Sequence, residues 1–304
     1  MRAPGLSRRI AVCGLLACTA GTAVASWGLS TPAVAVAVQA PPRRIISLVP
    51  ALTEMLFAIG AGPQVVAVSS YDRFPPEVAA RPRVGALLDP DVERVLSLTP
   101  DLVAIYGSQH DLRQQLIRAS ISVYDYRHAG LPDVPTTIRD LGRVTGHAAS
   151  ADSVATGIEH DLASIRARVA ARTPLRTLLV FGREPGALRN VYASGGKGFL
   201  HDMLVAAGGT NVFADLPQES VQATTELLLT RAPDVILEVR GGPVYTDTQM
   251  RQAANDWGRL ASVPAVKAGR VHVVTGDGLV VPGPRVAQAV ERLARTLHPG
   301  AFTP

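Results

Sequence analysis

From Arg43 onward, short apolar runs alternate with apolar positions at helical spacing. Ile45-Ile46-Ser47-Leu48-Val49 is an apolar run closed by Pro50 and predicts a buried strand. Thr53 to Ile59 is apolar at helical spacing, and Gly60 stands where a helix stops. Val65–Val68 predicts the next strand. After a loop holding Tyr71, Pro75, Pro76, Pro82 and Pro90, Asp91 is placed to cap a helix running through Leu98. Leu102–Tyr106 and Ser122–Tyr126 predict strands around a helix from Asp111 to Ala119. The second half repeats the plan. Strands are expected at Leu178–Phe181, Asn211–Phe213, Val235–Val239 and Val271–Val274, and helices at Phe199–Ala207, Thr225–Thr230 and Pro284–Leu297. Strands alternating with helices predict an α/β fold whose parallel sheets are covered on both faces.

One element divides this pattern. Ala151, Val154, Ile158, Leu162, Ile165 and Val169 follow one another at intervals of three or four. They predict a helix from near Ser150 to just before Pro174, about 25 residues and roughly 35 Å long. The plan is a leader at 1–25, a tether at 26–42, an N-terminal α/β lobe at 43–146, a bridging helix at 147–173 and a C-terminal α/β lobe at 174–304. A long helix laid across both lobes acts as a strut and predicts small closure motions.

The two lobes echo each other. Glu93-Arg-Val-Leu-Ser-Leu-Thr-Pro100-Asp101-Leu-Val-Ala-Ile105 matches Glu226-Leu-Leu-Leu-Thr-Arg-Ala-Pro233-Asp234-Val-Ile-Leu-Glu238 in register, and Glu54-Met-Leu-Phe-Ala-Ile-Gly60 resembles Asp202-Met-Leu-Val-Ala-Ala-Gly208. Two similar lobes imply a cleft, the usual seat of a small ligand.

Composition narrows the compartment and the partners. A basic start, an uncharged apolar run from Ile10 to Ala25 and the small residues Ala23-Val24-Ala25 have the order of an export signal, and the run is short for a membrane span. Ser7-Arg8-Arg9-Ile10 hints at twin-arginine export. Arg2, Arg8 and Arg9 in that leader supply three of the formal +5, which leaves +2 for the exported chain. Lys197 and Lys267 are its only lysines, and the arginines are scattered among acids, which argues against nucleic acid. Both cysteines, Cys13 and Cys18, lie in the leader, so the mature chain has neither thiol nor disulfide. Leu15-Leu16-Ala17-Cys18 partly matches a lipoprotein cleavage box and makes Cys18 a candidate lipid anchor. Residues 26–42, rich in Ala, Val and Pro, read as a tether.

Several segments resemble the periplasmic binding proteins for vitamin B12, haem and ferric siderophores, and most of all the vitamin B12 binders. They are Arg44-Ile-Ile-Ser-Leu-Val-Pro50-Ala-Leu-Thr53-Glu54, Val68-Ser-Ser-Tyr71-Asp-Arg-Phe-Pro75-Pro76, Tyr192-Ala-Ser-Gly195, Gly208-Gly209-x-Asn211-Val-Phe and Pro282-Gly-Pro284-Arg285-Val. The resemblance spans about residues 43–298. It implies two Rossmann-like lobes bridged by a rigid helix, and a monomer that carries a metal chelate to an ABC importer made of a permease dimer and its ATPase subunits. It also implies a glutamate on each lobe that docks on permease arginines. The matching positions are Glu93 and Glu226, each seven residues before Pro-Asp. Two separated, charge-assisted pairs fix orientation on a two-fold partner. Without the resemblance, each glutamate is equally well explained as a first-turn acid favoured by the helix dipole.

The resemblance also points Tyr71, Tyr106, Tyr192 and Asp277 toward the cleft, at strand ends where parallel α/β sheets bind ligands. Aromatic rings suit a flat macrocycle. Vitamin B12 binders place tryptophans there, whereas the corresponding loops here carry Leu87 and Ser220. Trp27 falls in the tether and Trp257 on an expected surface helix. Corrinoid, haem and ferric siderophore therefore stay open as cargo. His110, His128 and His201 are candidate iron ligands, His201 more readily structural. Arg127, Arg183 and Arg189 could meet an anionic chelate, but each reads more simply as a solvated charge. No HxxxH or CxxC pair suggests a protein metal cage.

An exported enzyme is the rival class. Phe181-Gly182-Arg-Glu-Pro-Gly186 follows a strand but has neither phosphate-loop spacing, and the mature chain offers no GxSxG elbow or nucleophilic cysteine. A haem or metal-chelate chaperone or sensor without a transporter would keep the cleft but would not need both glutamates.

Overall fold

Two sheets and one long helix organise the computed structural model, which describes residues 40–242 and 245–303. The leader with both cysteines, and residues 26–39 of the tether with Trp27, lie outside the described residues. The first half runs β1 (Ile45–Ser47), α1 (Pro50–Ala58), β2 (Val65–Val68), α2 (Val92–Ser97), β3 (Leu102–Tyr106), α3 (His110–Arg118), β4 (Ser122–Tyr126) and α4 (Asp133–Thr145). After α5 (Ala148–Val169) come β5 (Leu175–Gly182), β6 (Val191–Ser194), α6 (Phe199–Ala206), β7 (Gly209–Asn211) and β8 (Ser220–Ala223). The chain then continues through α7 (Thr225–Arg231), β9 (Val235–Arg240), α8 (Asp247–Asp256), α9 (Pro264–Lys267), β10 (Val271–Thr275) and α10 (Val286–Leu297).

The first sheet has the order β2-β1-β3-β4 and is parallel throughout. The second has the order β10-β9-β5-β6-β8, with β7 also on β5. Here β6 runs antiparallel to both its neighbours, β5 and β8, which departs from the all-parallel expectation. The stretch between Gly182 and Val191 is too short for a crossover helix, so the chain returns beside β5 in the opposite direction. β8 alternates exposed and buried positions, as an edge strand with one wet face does.

The stripe predicted for the bridging helix is the buried face of α5. Ala151, Ile158, Leu162, Ile165 and Val169 are buried as expected, whereas Val154 is half-buried and Ala155 takes its place on the buried face. α4 packs so tightly against α5 that a Cβ on Gly142 would collide with that of Ala151. The apolar cluster around α5 is continuous. It includes Leu52 and Leu56 of α1, Leu141 of α4, Leu204 of α6 and Val290 and Leu293 of α10. The two halves therefore share one core through α5, which resists hinge motion more than a loop linker would.

The sequence repeat is also a structural one. α2 is capped by Asp91, whose side chain accepts from the Arg94 N–H at 3.0 Å. α7 is capped by Thr224, which accepts from the Leu227 N–H at 3.3 Å. Each helix leads to a left-handed residue before Pro-Asp: Thr99 at φ 44° and Ala232 at φ 42°. An arginine at the start of the first strand of each half reaches the carbonyls that end the helix. Arg44 donates to Leu98 O at 2.7 Å, and Arg176 donates to Arg231 O at 2.7 Å.

Two expectations are corrected in the second half. Trp257 is not on a surface helix; it is fully buried after α8, and its Nε1 donates to Glu238 at 2.9 Å. Arg183 is not a solvated charge. Its side chain is fully buried between Glu238 and Asp256, at 3.0 Å from each. A buried guanidinium needs this saturation of partners, and the backbone oxygens of Ala187 and Ala253 complete it.

Candidate functional site

The carboxyl ends of the parallel strands carry the site. Across the first sheet, Tyr71 follows β2, Pro50 follows β1, Tyr106 ends β3 and His128 follows β4. Across the second, Asp277 follows β10, Gly241 follows β9 and Phe181 closes β5. The strand orders bring the two sheets together at two places.

At the β2–β10 side lies a cleft of about 400 Å³. Tyr71, Phe74 and Pro50 line it from the first half, and Phe181, Val280 and Asp277 from the second. Tyr71 is 67% exposed, a large aromatic face left in solvent. Beneath it, Arg285 at the start of α10 makes a two-pronged pair with Glu54 of α1, at 2.9 and 2.5 Å. The guanidinium lies over the Phe74 ring, 4.1 Å from its centre. Burial pushes the Glu54 carboxyl above its ordinary range, while the hydrogen bonds and charge of Arg285 pull it back. Asp277 accepts from the Gly242 N–H through Oδ1 at 2.6 Å, which fixes its carboxylate at the cleft wall. The cleft thus combines aromatic and aliphatic walls with a few fixed polar groups, the pattern of small-molecule sites.

At the β4 side a file of rings crosses between the halves. Tyr106 packs on Tyr126 with centroids 5.5 Å apart, Tyr126 on His128 at 6.0 Å, and His128 on Phe199 of α6 at 5.4 Å. Burial raises both tyrosine hydroxyls and lowers His128, the latter against the opposing pull of Asp133, Glu219 and Asp202. The Tyr126 hydroxyl and both His128 ring nitrogens are buried and have no hydrogen-bond partner among the described residues. Close by, the Leu131 N–H donates to Asp202 Oδ2 at 2.8 Å, a second tie between the halves.

The structure therefore gathers Tyr71 and Asp277 in one cleft. Tyr192 on β6 adjoins it, its ring 6.4 Å from that of Phe181. Tyr106 belongs to the other ring file, and Gln109 joins it to Leu87: Gln109 Oε1 accepts from the Tyr106 N–H at 3.0 Å and Nε2 donates to Leu87 O at 3.0 Å. Ser220 is exposed on β8, next to Glu219. Glu93 and Glu226 are exposed in the first turns of α2 and α7. Backbone and Thr224 hydrogen bonds hold the Glu226 carboxyl below its ordinary value.

Of the other candidates, His110 is exposed at the start of α3, and His201 lies 3.3 Å from the Asn211 amide as a packing residue. Arg127 is exposed and Arg189 is tied to Glu184. Among the described residues no cluster of three His, Cys, Asp or Glu side chains could hold a bare metal ion. Sequence reasoning missed the Glu54–Arg285 pair, Phe74 and Phe181. Glu54 and Arg285 stood inside quoted motifs, but nothing local joins two positions so far apart.

The model of the periplasmic binding protein family matches residues 45–277. An ABC transporter substrate-binding lipoprotein of Bacillus subtilis is 30% identical, over 88% of this chain and 83% of its own length. The vitamin B12-binding protein of Pectobacterium carotovorum is 27% identical, over 93% and 92%. Among solved structures, the periplasmic vitamin B12 binding protein of Vibrio cholerae superposes with a TM-score of 0.73 at 26% identity, over 86% of this chain and 99% of that one. A periplasmic haem-binding protein of Roseiflexus superposes at 0.72 with 25% identity, over 85% and 99%. With its paired sheets, shared helix and ligand-sized cleft, the chain belongs to the periplasmic binding protein family, a family of binders rather than enzymes.

Proposed function

We propose that this chain is the extracytoplasmic substrate-binding component of an ABC importer, which captures a corrinoid or an iron chelate and delivers it unchanged to a permease with its ATPase subunits. The cleft supports this reading most directly. Tyr71, Phe74 and Phe181 offer ring faces, and Asp277 and Arg73 offer polar contacts around them. Such a site suits a flat metal complex that brings its own ligands. Tyr106, Tyr192, Leu87 and Ser220 would meet the outer parts of the same cargo. Glu93 and Glu226 would dock on the permease, and the leader would direct export, with Cys18 available for a lipid anchor.

His128 favours a second cargo within the same role. Burial lowers its pKa, which favours the neutral imidazole at pH 7, and neither ring nitrogen has a partner among the described residues, so a shift of the ring file that uncovered one would offer it to haem iron.

A thermal-shift titration of residues 40–304 with cobalamin, cobinamide, haemin and ferric siderophores tests the reading, because a ligand that binds only the folded state raises the midpoint by mass action. A corrinoid shift identifies the cargo class. A haemin shift whose absorption spectrum changes in His128→Ala identifies the alternative. No shift with any of them overturns the binding assignment.

A further inference from the structure

The two halves share more than their glutamates. Three residues after Glu93 stands Leu96, and three after Glu226 stands Leu229. That spacing puts each leucine on the same helix face as its glutamate, one turn along. Both are exposed, Leu96 at 37% and Leu229 at 42%. Five residues after each glutamate, at Leu98 and Arg231, the helix carbonyl is held by the arginine of the preceding strand, Arg44 or Arg176. Each short helix is thus fastened at both ends, by a side-chain cap and by an arginine. A helix fixed in this way loses little freedom when its outer face is covered.

We infer that each half presents a glutamate–leucine pair, Glu93 with Leu96 and Glu226 with Leu229, to a two-fold membrane permease that carries a basic group beside an apolar pocket in each of its halves. This rests on the docking reading above and adds to it the apolar anchor. An exposed ion pair contributes little by itself. A contact centred on apolar side chains with a charged rim is the ordinary construction of a specific interface. The duplication selects the partner: two patches generated by one internal repeat are matched by a surface that is itself two-fold.

The test places a photo-cross-linking residue at Ser97 or, separately, at Thr230, the exposed positions one residue beyond each leucine, in the full chain within producing cells. Both sites are expected to capture one and the same ABC permease polypeptide, identified by mass spectrometry. L96S/L229S is expected to lower that yield at least tenfold while leaving the melting temperature of the purified protein unchanged. If L96S/L229S keeps the full yield and E93K/E226K loses it, the apolar anchor is refuted and glutamate docking stands. If both double variants keep the yield, or only one half captures the permease, the paired surface and the docking reading fall together.

Discussion

Replacing Arg285 with methionine would leave the Glu54 carboxylate buried without its partner. Glu54 is 4% exposed, and among the described residues Arg285 supplies its only side-chain hydrogen bonds. Removing one member of a buried pair costs about 3–5 kcal/mol. Arg285 keeps 21% of its side chain in solvent, so the lower end applies, about 3 kcal/mol at pH 7. For a domain of this size that lowers the melting temperature by roughly 6–9 °C. The loss depends on pH in a definite direction. Burial already raises the Glu54 pKa, and R285M removes both influences that lower it. A carboxyl with a raised folded pKa contributes its full stability below its unfolded value, near 4.5, and loses it as pH rises through the folded pKa. The deficit of R285M should therefore be largest at neutral pH and shrink toward pH 4.5. E54L/R285M should recover most of it, since two apolar side chains replace a desolvated pair at little cost. Thermal melts of the three proteins across that range are the assay. A melting temperature for R285M within about 2 °C of the parent at pH 7, or a double variant no better than the single, would refute the buried pair.

Asp72 offers a second titration: burial pushes its carboxyl up to about 6 despite the hydrogen bond from the Ser69 N–H and the charge of Arg83. Its contribution is complete below pH 3.8 and lost as pH rises through about 6, so Asp72→Asn should gain stability at pH 7, up to on the order of 3 kcal/mol, and flatten the melting curve against pH between 4 and 7. Gly142→Ala should cost about 1–3 kcal/mol by forcing α4 off α5, whereas Gly157→Ala, on the open face of α5 with nothing near its Cβ, should add about 0.5–1 kcal/mol; chemical denaturation reads both. Tyr71→Ala should weaken cargo binding at least tenfold, about 1.4 kcal/mol, and leave the ligand-free melt unchanged, so unaltered binding would move the site away from the cleft.

Much of this architecture was legible because it is written in local periods. The α5 stripe, the Pro-Asp register and the cap at Asp91 are patterns of a few residues, and each is found in place. α4 was legible too, from Val134, Ile138, Leu141 and Thr145, but went unread beside the longer stripe. The cleft floor was not legible. Glu54 and Arg285 are ordinary charged residues in their own segments, and only the meeting of two sheets makes them partners. Arg183 and Trp257 mislead for the same reason: a charged or amphipathic residue reads as surface until a distant Glu238 is brought beneath it. β6 and β8 escaped because a short returning strand has the composition of a loop.

The shared core around α5, together with the ties from Arg285 to Glu54 and from Asp202 to the Leu131 amide, bears on transport kinetics. A protein braced in this way should keep its two outer helices at nearly one spacing whether the cleft is filled or empty. On the docking proposed above, a permease would therefore meet full and empty carriers as nearly equal competitors. Uptake should follow the loaded fraction of the carrier rather than its total amount, and surplus empty carrier should slow import by occupying the permease.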